Sequence, residues 1–308
     1  MTARIPAVGI IGAGAIGHTV GTLITAAGWC EHVLVSSGTE ESARALVTDL
    51  QDMAQVISSP VRSRAADLPD LAGCDAVVVC PRGRFTNTAV RDVRMAGLKA
   101  NAPVIAGIGR MFAGYTGTAI IVTNPVDAMT WLFATTSGAK RVYGVGSATD
   151  SARYRLTLAH LLAVPVESVE GRVVGEHGDA AVVCAAATRI AGLPAAIPLQ
   201  AVHEELAARP RRINQGLGRA RSGPAGAVLV ALTAALGLTD TVTELSVVNP
   251  DHTACRGMPL RFSAGVPTVV DPGLDPAEQR LLDDADRKIR AAHTAVRHHT
   301  EAQKDTIQ

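Results

Sequence analysis

A glycine-rich hexapeptide near the start of the chain has the spacing of a phosphate-binding turn. Gly12-Ala13-Gly14-Ala15-Ile16-Gly17 fits the pattern G-x-G-x-x-G and follows an apolar run at Ala7 to Ile11. The first glycine permits a tight turn, the second lets the backbone approach a pyrophosphate, and the third lets a helix pack closely on the preceding strand. Free N–H groups and the helix dipole then favour the phosphate charge. The residues predicted to hold this part of a dinucleotide are Gly12, Gly14, Ala15, Ile16 and Gly17.

The end of the second predicted strand bears on the choice between NAD and NADP. A carboxylate about 20 residues after the glycines would bind the ribose hydroxyls and repel a 2′-phosphate. Here the strand Val33 to Val35 is followed by Ser36 and Ser37, and neither is acidic. The two serines remove the repulsion and offer hydroxyl donors, which favours NADP over NAD. The spacing leaves open which arginine reaches a 2′-phosphate, and the candidates are Arg44, Arg62 and Arg64.

Four later segments carry polar side chains that could act on a small carbonyl compound. One follows a strand end, one opens a helix, one places a histidine between glycines, and one follows the arginine-rich stretch 81–90. They are, in chain order, Arg91-Asp92, Thr123-Asn124-Pro125-Val126-Asp127, Thr149-Asp150-Ser151-Ala152-Arg153 and Gly175-Glu176-His177-Gly178-Asp179. In this order after the glycine turn, they resemble the lactate/malate dehydrogenase family, of the L-2-hydroxy acid dehydrogenase type. The resemblance covers nearly the whole chain and implies hydride transfer between NAD(P) and a small 2-oxo or 2-hydroxy acid.

The chemistry of ketone reduction explains the residue types that the resemblance brings together. Hydride transfer to a ketone leaves an alkoxide that must be protonated, and a histidine of near-neutral pKa does this best. His177 is the candidate. A carboxylate beside the histidine fixes its tautomer and stabilises the imidazolium, and the resemblance implies that this residue is Asp150. Arg153 shares a helix face with Asp150 and can bind a substrate carboxylate through two parallel hydrogen bonds.

Two further roles concern the ketone oxygen and the nicotinamide. A second guanidinium must polarise the ketone, and Arg91 resembles that residue, carried on a loop that closes over the substrate. Arg94 is the alternative for the same role. Asn124 is expected to hydrogen-bond near the substrate oxygen and the nicotinamide, and Thr123 to contribute to the cofactor site.

The segment before Arg91 departs from the family pattern and bears on the substrate. In the family, a residue about six before the loop arginine is glutamine for lactate-type substrates and arginine for malate-type substrates. Counting back from Arg91 gives Phe85, which favours an apolar side chain, whereas a shift of one residue offers Arg84 to a second anionic group. Ser222 stands near the place where the family has a small hydroxylated residue. Four arginines lie close together and leave a dianionic or phosphonate-bearing substrate open: Arg82, Arg84, Arg91 and Arg94. The departures suggest a specialised dehydrogenase.

Alternating strands and helices must position these side chains. The pattern predicts an α/β fold, with a Rossmann doubly wound parallel sheet over residues 1–145 and an α+β catalytic domain over residues 146–308. Helices are expected at Glu40 to Val56, Thr88 to Ala100 and Asp275 to His299. Apolar residues of the first of these helices could pack on a twofold mate. Together with the resemblance, this implies a homodimer or homotetramer.

Composition narrows the classes of protein. Of the 308 residues, 47% are hydrophobic but only 3% are aromatic, which suits small aliphatic helices packed on a parallel sheet. A net charge of +1 provides no strong field for nucleic acid or an anionic membrane, so neither partner is expected. Five cysteines without CxxC spacing indicate reduced thiols in a cytoplasmic protein, with neither a disulfide framework nor a metal site. We interpret the apolar N-terminal run as the first strand and not as a signal peptide.

Two other functions fit the same scaffold. One is a reductase of imines or of other carbonyl compounds. A substrate without a carboxylate has no need of Arg153. The other is a non-catalytic nucleotide-binding protein. The intact set of His177, Asp150 and Arg153 argues against it.

Overall fold

A computed structural model describes residues 4–86, 88–89 and 92–305 of the chain, with side chains described up to residue 297. Six parallel strands form the first part of its main sheet, in the order β3-β2-β1-β4-β5-β6. These strands are β1 (Ile5–Ile11), β2 (Cys30–Ser36), β3 (Arg62–Ala65), β4 (Ala76–Val79), β5 (Thr118–Ile121) and β6 (Arg141–Gly144). This is the strand order of a dinucleotide-binding doubly wound sheet, with a crevice where the order reverses.

Antiparallel strands from the second half of the chain extend the same sheet. β12 pairs with β6 through Ser246 and Gly144, and it is followed by β13, β8 and β9, with β14 beside β13. Their ranges are β8 (Val173–Gly175), β9 (Ala181–Val183), β12 (Thr241–Val248), β13 (Cys255–Ser263) and β14 (Val266–Val269). A separate small antiparallel sheet contains β7 (Val169–Glu170), β10 (Arg189–Ile190) and β11 (Leu193–Pro194).

Helices cover both faces of the main sheet because its strands are apolar on both sides. All four residues of β4 are buried, and along β1 the side chains of Val8 and Ile10 enter one core while Ile11 enters the other. The helices are α1 (Ala15–Ala27), α2 (Glu40–Val56), α3 (Leu98–Met111), α4 (Val126–Ser137), α5 (Ser147–Leu162), α6 (Leu199–Leu217), α7 (Ser222–Ala235) and α8 (Pro276–Asp305). Helices α1, α2 and α7 contribute to the first core, and α3, α4 and α8 to the second.

The α/β class and the Rossmann sheet predicted from sequence are confirmed, and α2 has the predicted bounds. The helix predicted from Thr88 to Ala100 is wrong. Thr88 and Ala89 are not helical, and Asp92 has a positive φ of 47°, which a right-handed helix does not contain. A short 3₁₀ turn at 95–97 leads into α3, and the described residues between β4 and this turn belong to no helix or strand. The division into domains at residue 145 stays a prediction.

Across the described ranges, each helix is too short or too polar to cross a bilayer.

Candidate active site

A buried histidine–carboxylate pair lies at the centre of the candidate site. Asp150 is in the first turn of α5, directly after β6, and His177 lies in the turn between β8 and β9. The imidazole Nδ1 is 2.5 Å from Asp150 Oδ2, and both residues are buried. A Cβ at Gly146 would lie 2.5 Å from His177 Cγ, so a larger residue at this position would clash with the imidazole ring. The pair leaves Nε2 as the ring nitrogen that can exchange a proton with a ligand.

Two guanidinium groups approach the same carboxylate from different elements. Arg153, one turn along α5, has Nη1 3.3 Å from Asp150 Oδ1. Arg94, in the loop between β4 and α3, has Nη2 3.8 Å from the same oxygen. An imidazole, a carboxylate and two planar cations therefore converge, although the sequence separates Arg94 from His177 by more than 80 residues.

The charges in this cluster shift the pKa values of the pair. Burial alone raises the pKa of Asp150, but His177, Arg94 and Arg153 outweigh it and lower that pKa to about 2. Burial and the charge of Arg94 lower the pKa of His177 from its usual value, while Asp150 opposes them. The carboxylate is thus ionised at neutral pH. The imidazole protonates below its ordinary range, and its protonation is stabilised by Asp150.

A second carboxylate holds the histidine by its backbone. The His177 N–H donates to Asp127 Oδ2 at 2.8 Å, and the Ser246 hydroxyl donates to Asp127 Oδ1 at 2.6 Å. Asp127 is fully buried, and burial raises its pKa to about 7. The sequence analysis includes Asp127 in the segment 123–127 but does not predict this role. Nothing in the local sequence indicates a backbone partner 50 residues away.

The neighbouring turn after β5 is anchored through a buried amide. Asn101 of α3 donates from Nδ2 to the carbonyl of Asn124 and accepts from the Gly83 N–H, both at 2.7 Å. The Asn124-Pro125 bond is cis, and the Asn124 side chain belongs to an exposed residue at the strand end. The Thr123 hydroxyl donates to the carbonyl of Pro81 at 2.7 Å. Asn101 was not predicted as a site residue.

Of the remaining predicted substrate residues that the structure describes, Phe85 lies beside the asparagine turn, and Arg84 and Ser222 are exposed. Arg91 lies outside the described residues. Arg84 is exposed, and Arg82 stacks over the Phe85 ring with its guanidinium carbon 4.2 Å from the ring centroid. A Cβ at Gly97 would lie 3.1 Å from Phe85 Cζ and 3.3 Å from the carbonyl oxygen of Asn124, so the phenylalanine packs beside the asparagine turn. Ser222 is the exposed first residue of α7.

The glycine turn fits the pyrophosphate of a dinucleotide. Gly12 has a φ of 111°, a conformation that favours glycine, and a Cβ at Gly17 would lie 1.9 Å from the Gly12 carbonyl oxygen. By contrast, a Cβ at Gly14 would meet nothing within 4 Å, and Gly14, the residue before α1, has no side chain to accept from the first N–H groups of the helix. Open space in front of an uncapped helix N-terminus is the arrangement that receives a phosphate.

The predicted ribose end is lined by hydroxyl groups. The Gly12 N–H donates to the carbonyl of Ser36 at 2.8 Å, and the Ala13 N–H donates to Ser37 Oγ at 3.3 Å. Ser37 Oγ also accepts from the Ser42 hydroxyl at 2.8 Å. The serines therefore connect the end of β2 to the glycine turn and to α2.

The known proteins that this chain resembles include lactate and malate dehydrogenases. Residues 7–144 match the lactate/malate dehydrogenase NAD-binding domain. The chain is 30% identical over 297 residues to a malate dehydrogenase of Staphylococcus carnosus, covering 91% of this chain and 94% of that protein. It is 27% identical over 309 residues to an L-lactate dehydrogenase of Chloroherpeton thalassium, covering 94% and 99% respectively. The crystal structure of a Cryptosporidium parvum malate dehydrogenase has the same fold, with a TM-score of 0.86 at 24% identity over 96% of this chain and 100% of that one.

The fold and the matches together define an oxidoreductase of hydroxy acids that uses a nicotinamide cofactor. The chain belongs to the lactate/malate dehydrogenase family.

Proposed function

We propose that this protein interconverts a 2-oxo acid and its 2-hydroxy acid, with His177, Asp150, Arg94 and Arg153 as the groups that act on the substrate. The observation that carries the proposal is the convergence of these four side chains, which have three atom pairs between 2.5 and 3.8 Å centred on one carboxylate. An imidazole with a carboxylate partner supplies a proton, and planar guanidinium groups match the two oxygens of a substrate carboxylate.

Each side chain has a separate task in the reduction. Arg153 binds the substrate carboxylate and so fixes the position of the neighbouring ketone. Arg94 stabilises negative charge on the ketone oxygen, and His177 donates the proton from Nε2. Asp150 stays ionised, holds Nδ1 and stabilises the imidazolium. The nicotinamide, when bound, supplies or accepts the hydride.

Arg94 takes the role that the sequence assigned first to Arg91. Its guanidinium is partly buried and directed at Asp150, and its charge lowers the pKa of His177 more than the charge of Arg153 does. Counting six residues back from Arg94 leads to Thr88, which is neither the glutamine nor the arginine of the two family patterns. We therefore propose a substrate whose side chain is larger than a methyl group. A short threonine leaves more room than glutamine and offers no charge to a second carboxylate.

The cofactor is proposed to be NAD, in place of the NADP favoured by the sequence. Arg44 is paired with Glu40 at 2.5 Å, and Arg62 and Arg64 lie on β3 beside parts of β2 that precede Ser36. The first turn of α2 carries Glu40 and Glu41, which repel a 2′-phosphate. Serine hydroxyls beside acidic residues suit a ribose diol.

A spectrophotometric panel tests the proposed reaction. NADH and NADPH are each combined with pyruvate, oxaloacetate, branched and aromatic 2-oxo acids, and phosphonopyruvate. We expect the highest kcat/KM with NADH and a branched or aromatic substrate, and a loss of about 10³-fold in His177→Asn. A panel without turnover would overturn the reaction. A best rate with phosphonopyruvate or oxaloacetate would instead overturn the substrate size argument.

Arg153→Lys separates this function from reduction of a carbonyl compound or imine without a carboxylate. A lysine keeps the charge but loses the paired hydrogen bonds, so KM for a 2-oxo acid should rise about tenfold or more. An unchanged KM would favour the other substrate class.

The protein is also proposed to form a homodimer or homotetramer. A surface cavity of about 480 Å³ lies between α5 and α7, and exposed Leu156 and Val230 line it. Apolar groups at such a groove are stabilised when a second copy covers them. Light scattering at the mass of a single chain would contradict this assembly.

A further inference from the structure

A group of charged residues lies beside the catalytic cluster and has no part in the proton and carboxylate chemistry. Lys288 of α8 places Nζ 2.9 Å from Glu176 Oε1 and also contacts Asp92 Oδ1. The N–H of Asp92 donates to Asp179 Oδ2 at 2.9 Å. Glu176 and Asp179 flank His177 in the chain, and Asp92 precedes Arg94 by two residues. The lysine thus connects the two segments that carry the proton donor and the ketone-polarising guanidinium.

The two halves of this bridge differ in burial. The side chain of Glu176 is 2% exposed and also accepts the N–H of Ala180 at 2.8 Å, whereas the side chain of Asp92 is 46% exposed. A Cβ at Gly178 would lie 2.5 Å from Glu176 Oε1, so the turn must have glycine for this carboxylate to fold inward. Because a buried carboxylate is destabilised without a counter-charge, the ion pair between Lys288 and Glu176 is the stronger of the two. The ion pair between Lys288 and the half-exposed Asp92 is the weaker one.

We propose that Lys288 is a positioning residue that binds the loop carrying Arg94 to the turn carrying His177, and so sets the distance between these two groups over the substrate. This rests on the proposed function, because it assigns the cluster a task in that reaction. Lys288 touches no reacting atom. Its effect reaches the substrate through Asp92 and Glu176.

The effect on turnover follows from geometry. Displacing a catalytic group by about 1 Å lowers the rate by up to about 10²-fold. Lys288→Met keeps most of the aliphatic stem and removes the charge, and we expect kcat/KM to fall about 10- to 100-fold with the best substrate of the panel. Binding of NADH alone, measured by fluorescence, should stay unchanged. Lys288→Arg should restore most of the activity because it keeps a cation at the bridge.

The matched control is Arg287→Met, the neighbouring position on the same helix. Arg287 is exposed and pairs with Asp284 one turn away. This variant should retain the activity of the parent protein. A second variant, Asp92→Asn, removes the exposed half of the bridge. Because the two residues act as one unit, the double variant with Lys288→Met should be no slower than Lys288→Met alone.

Limited trypsin digestion provides a readout that needs no substrate. This stretch contains four arginines, so a released loop is cleaved after Arg82, Arg84, Arg91 or Arg94, and mass spectrometry identifies the sites. We expect Lys288→Met to be cut there several-fold faster than the parent and Arg287→Met. Unchanged loop cleavage together with unchanged kcat/KM overturns the proposal. If the parent turns over no 2-oxo acid but the loop still loosens, the bridge stands and only the proposed reaction fails.

Discussion

At the residue scale, the site is organised around the charge of Asp150. Burial disfavours the ionised form of this carboxylate, but the neighbouring His177, Arg94 and Arg153 stabilise it more strongly. The carboxylate therefore stays ionised because of these three partners. For His177, burial and the charge of Arg94 both disfavour the protonated form, so the pKa of the imidazole is lowered. Binding of an anionic substrate near Arg94 and Arg153 would offset part of that positive field, which favours protonation of His177 when the substrate is bound.

The pH profile of reduction tests this arrangement. In the proposed reduction His177 donates a proton, so kcat/KM should be highest at acidic pH and fall as the pH rises through the lowered pKa of this residue. Asp150→Asn removes the group that raises the His177 pKa, so the fall should move to lower pH, with a loss of about 10²-fold or more in rate. Arg94→Gln removes a cation that lowers this pKa, so its fall should move to higher pH. Profiles that move in the same direction for both variants would contradict the assignment.

At the element scale, the candidate site residues lie where strands of the main sheet end and helices begin. The glycine turn joins β1 to α1, Asn124 follows β5, and Asp150 enters α5 just after β6. Because β1, β5 and β6 are parallel, their carboxyl ends meet at one edge of the sheet. The antiparallel strands β8 and β9 add His177 to this edge from the second half of the chain.

Two glycines of the same turn should respond differently to alanine. A Cβ at Gly14 meets open space, so Gly14→Ala should fold normally but bind NADH at least about tenfold more weakly, because the methyl group occupies the approach of the pyrophosphate. A Cβ at Gly17 would lie 1.9 Å from a backbone oxygen, so Gly17→Ala should lose stability as well as binding. Thermal unfolding and fluorescence titration measure both. Normal NADH binding by Gly14→Ala would argue against a cofactor at this turn.

At the scale of the whole molecule, α8 ties the two halves of the chain together. It contacts α3 and α4 on one side and β8, β9 and β13 on the other. On the first side the His293 ring stacks on Trp131 of α4, with centroids 4.3 Å apart and an angle of 11° between the planes. His293 is buried, so this contact makes the docking of the helix sensitive to protonation.

Stability should fall in mild acid because of this histidine. Burial lowers the pKa of His293 to about 4, while an unfolded histidine titrates near 6.5. Between these values the unfolded state binds more protons than the folded state. The contribution of neutral His293 to the free energy of unfolding is therefore fully present above about pH 6.5 and is lost as the pH falls towards 4. The shift corresponds to roughly 2–4 kcal/mol. Urea unfolding at pH 5 and pH 7.5 should show this loss in the parent and a smaller loss in His293→Phe.

The exposed His203 of α6 provides the control for that measurement. His203→Gln should keep the full dependence on pH. An equal loss of stability in His293→Phe and in the parent protein would exclude His293 as its source.

Local patterns in the sequence predicted the Rossmann sheet, the glycine turn and the shared helix face of Asp150 and Arg153. These features depend on short spacings that force a backbone conformation or place two side chains on one helix face. The partnership of His177 with Asp150, 27 residues apart, was implied by the resemblance to the family. Only the tertiary structure showed that Arg94 faces Asp150, that Asp127 holds the backbone of His177, and that Lys288 joins the segment at Asp92 to the histidine turn. These contacts join residues 50 to 196 positions apart through an irregular loop, and no periodicity of the chain encodes such a distance.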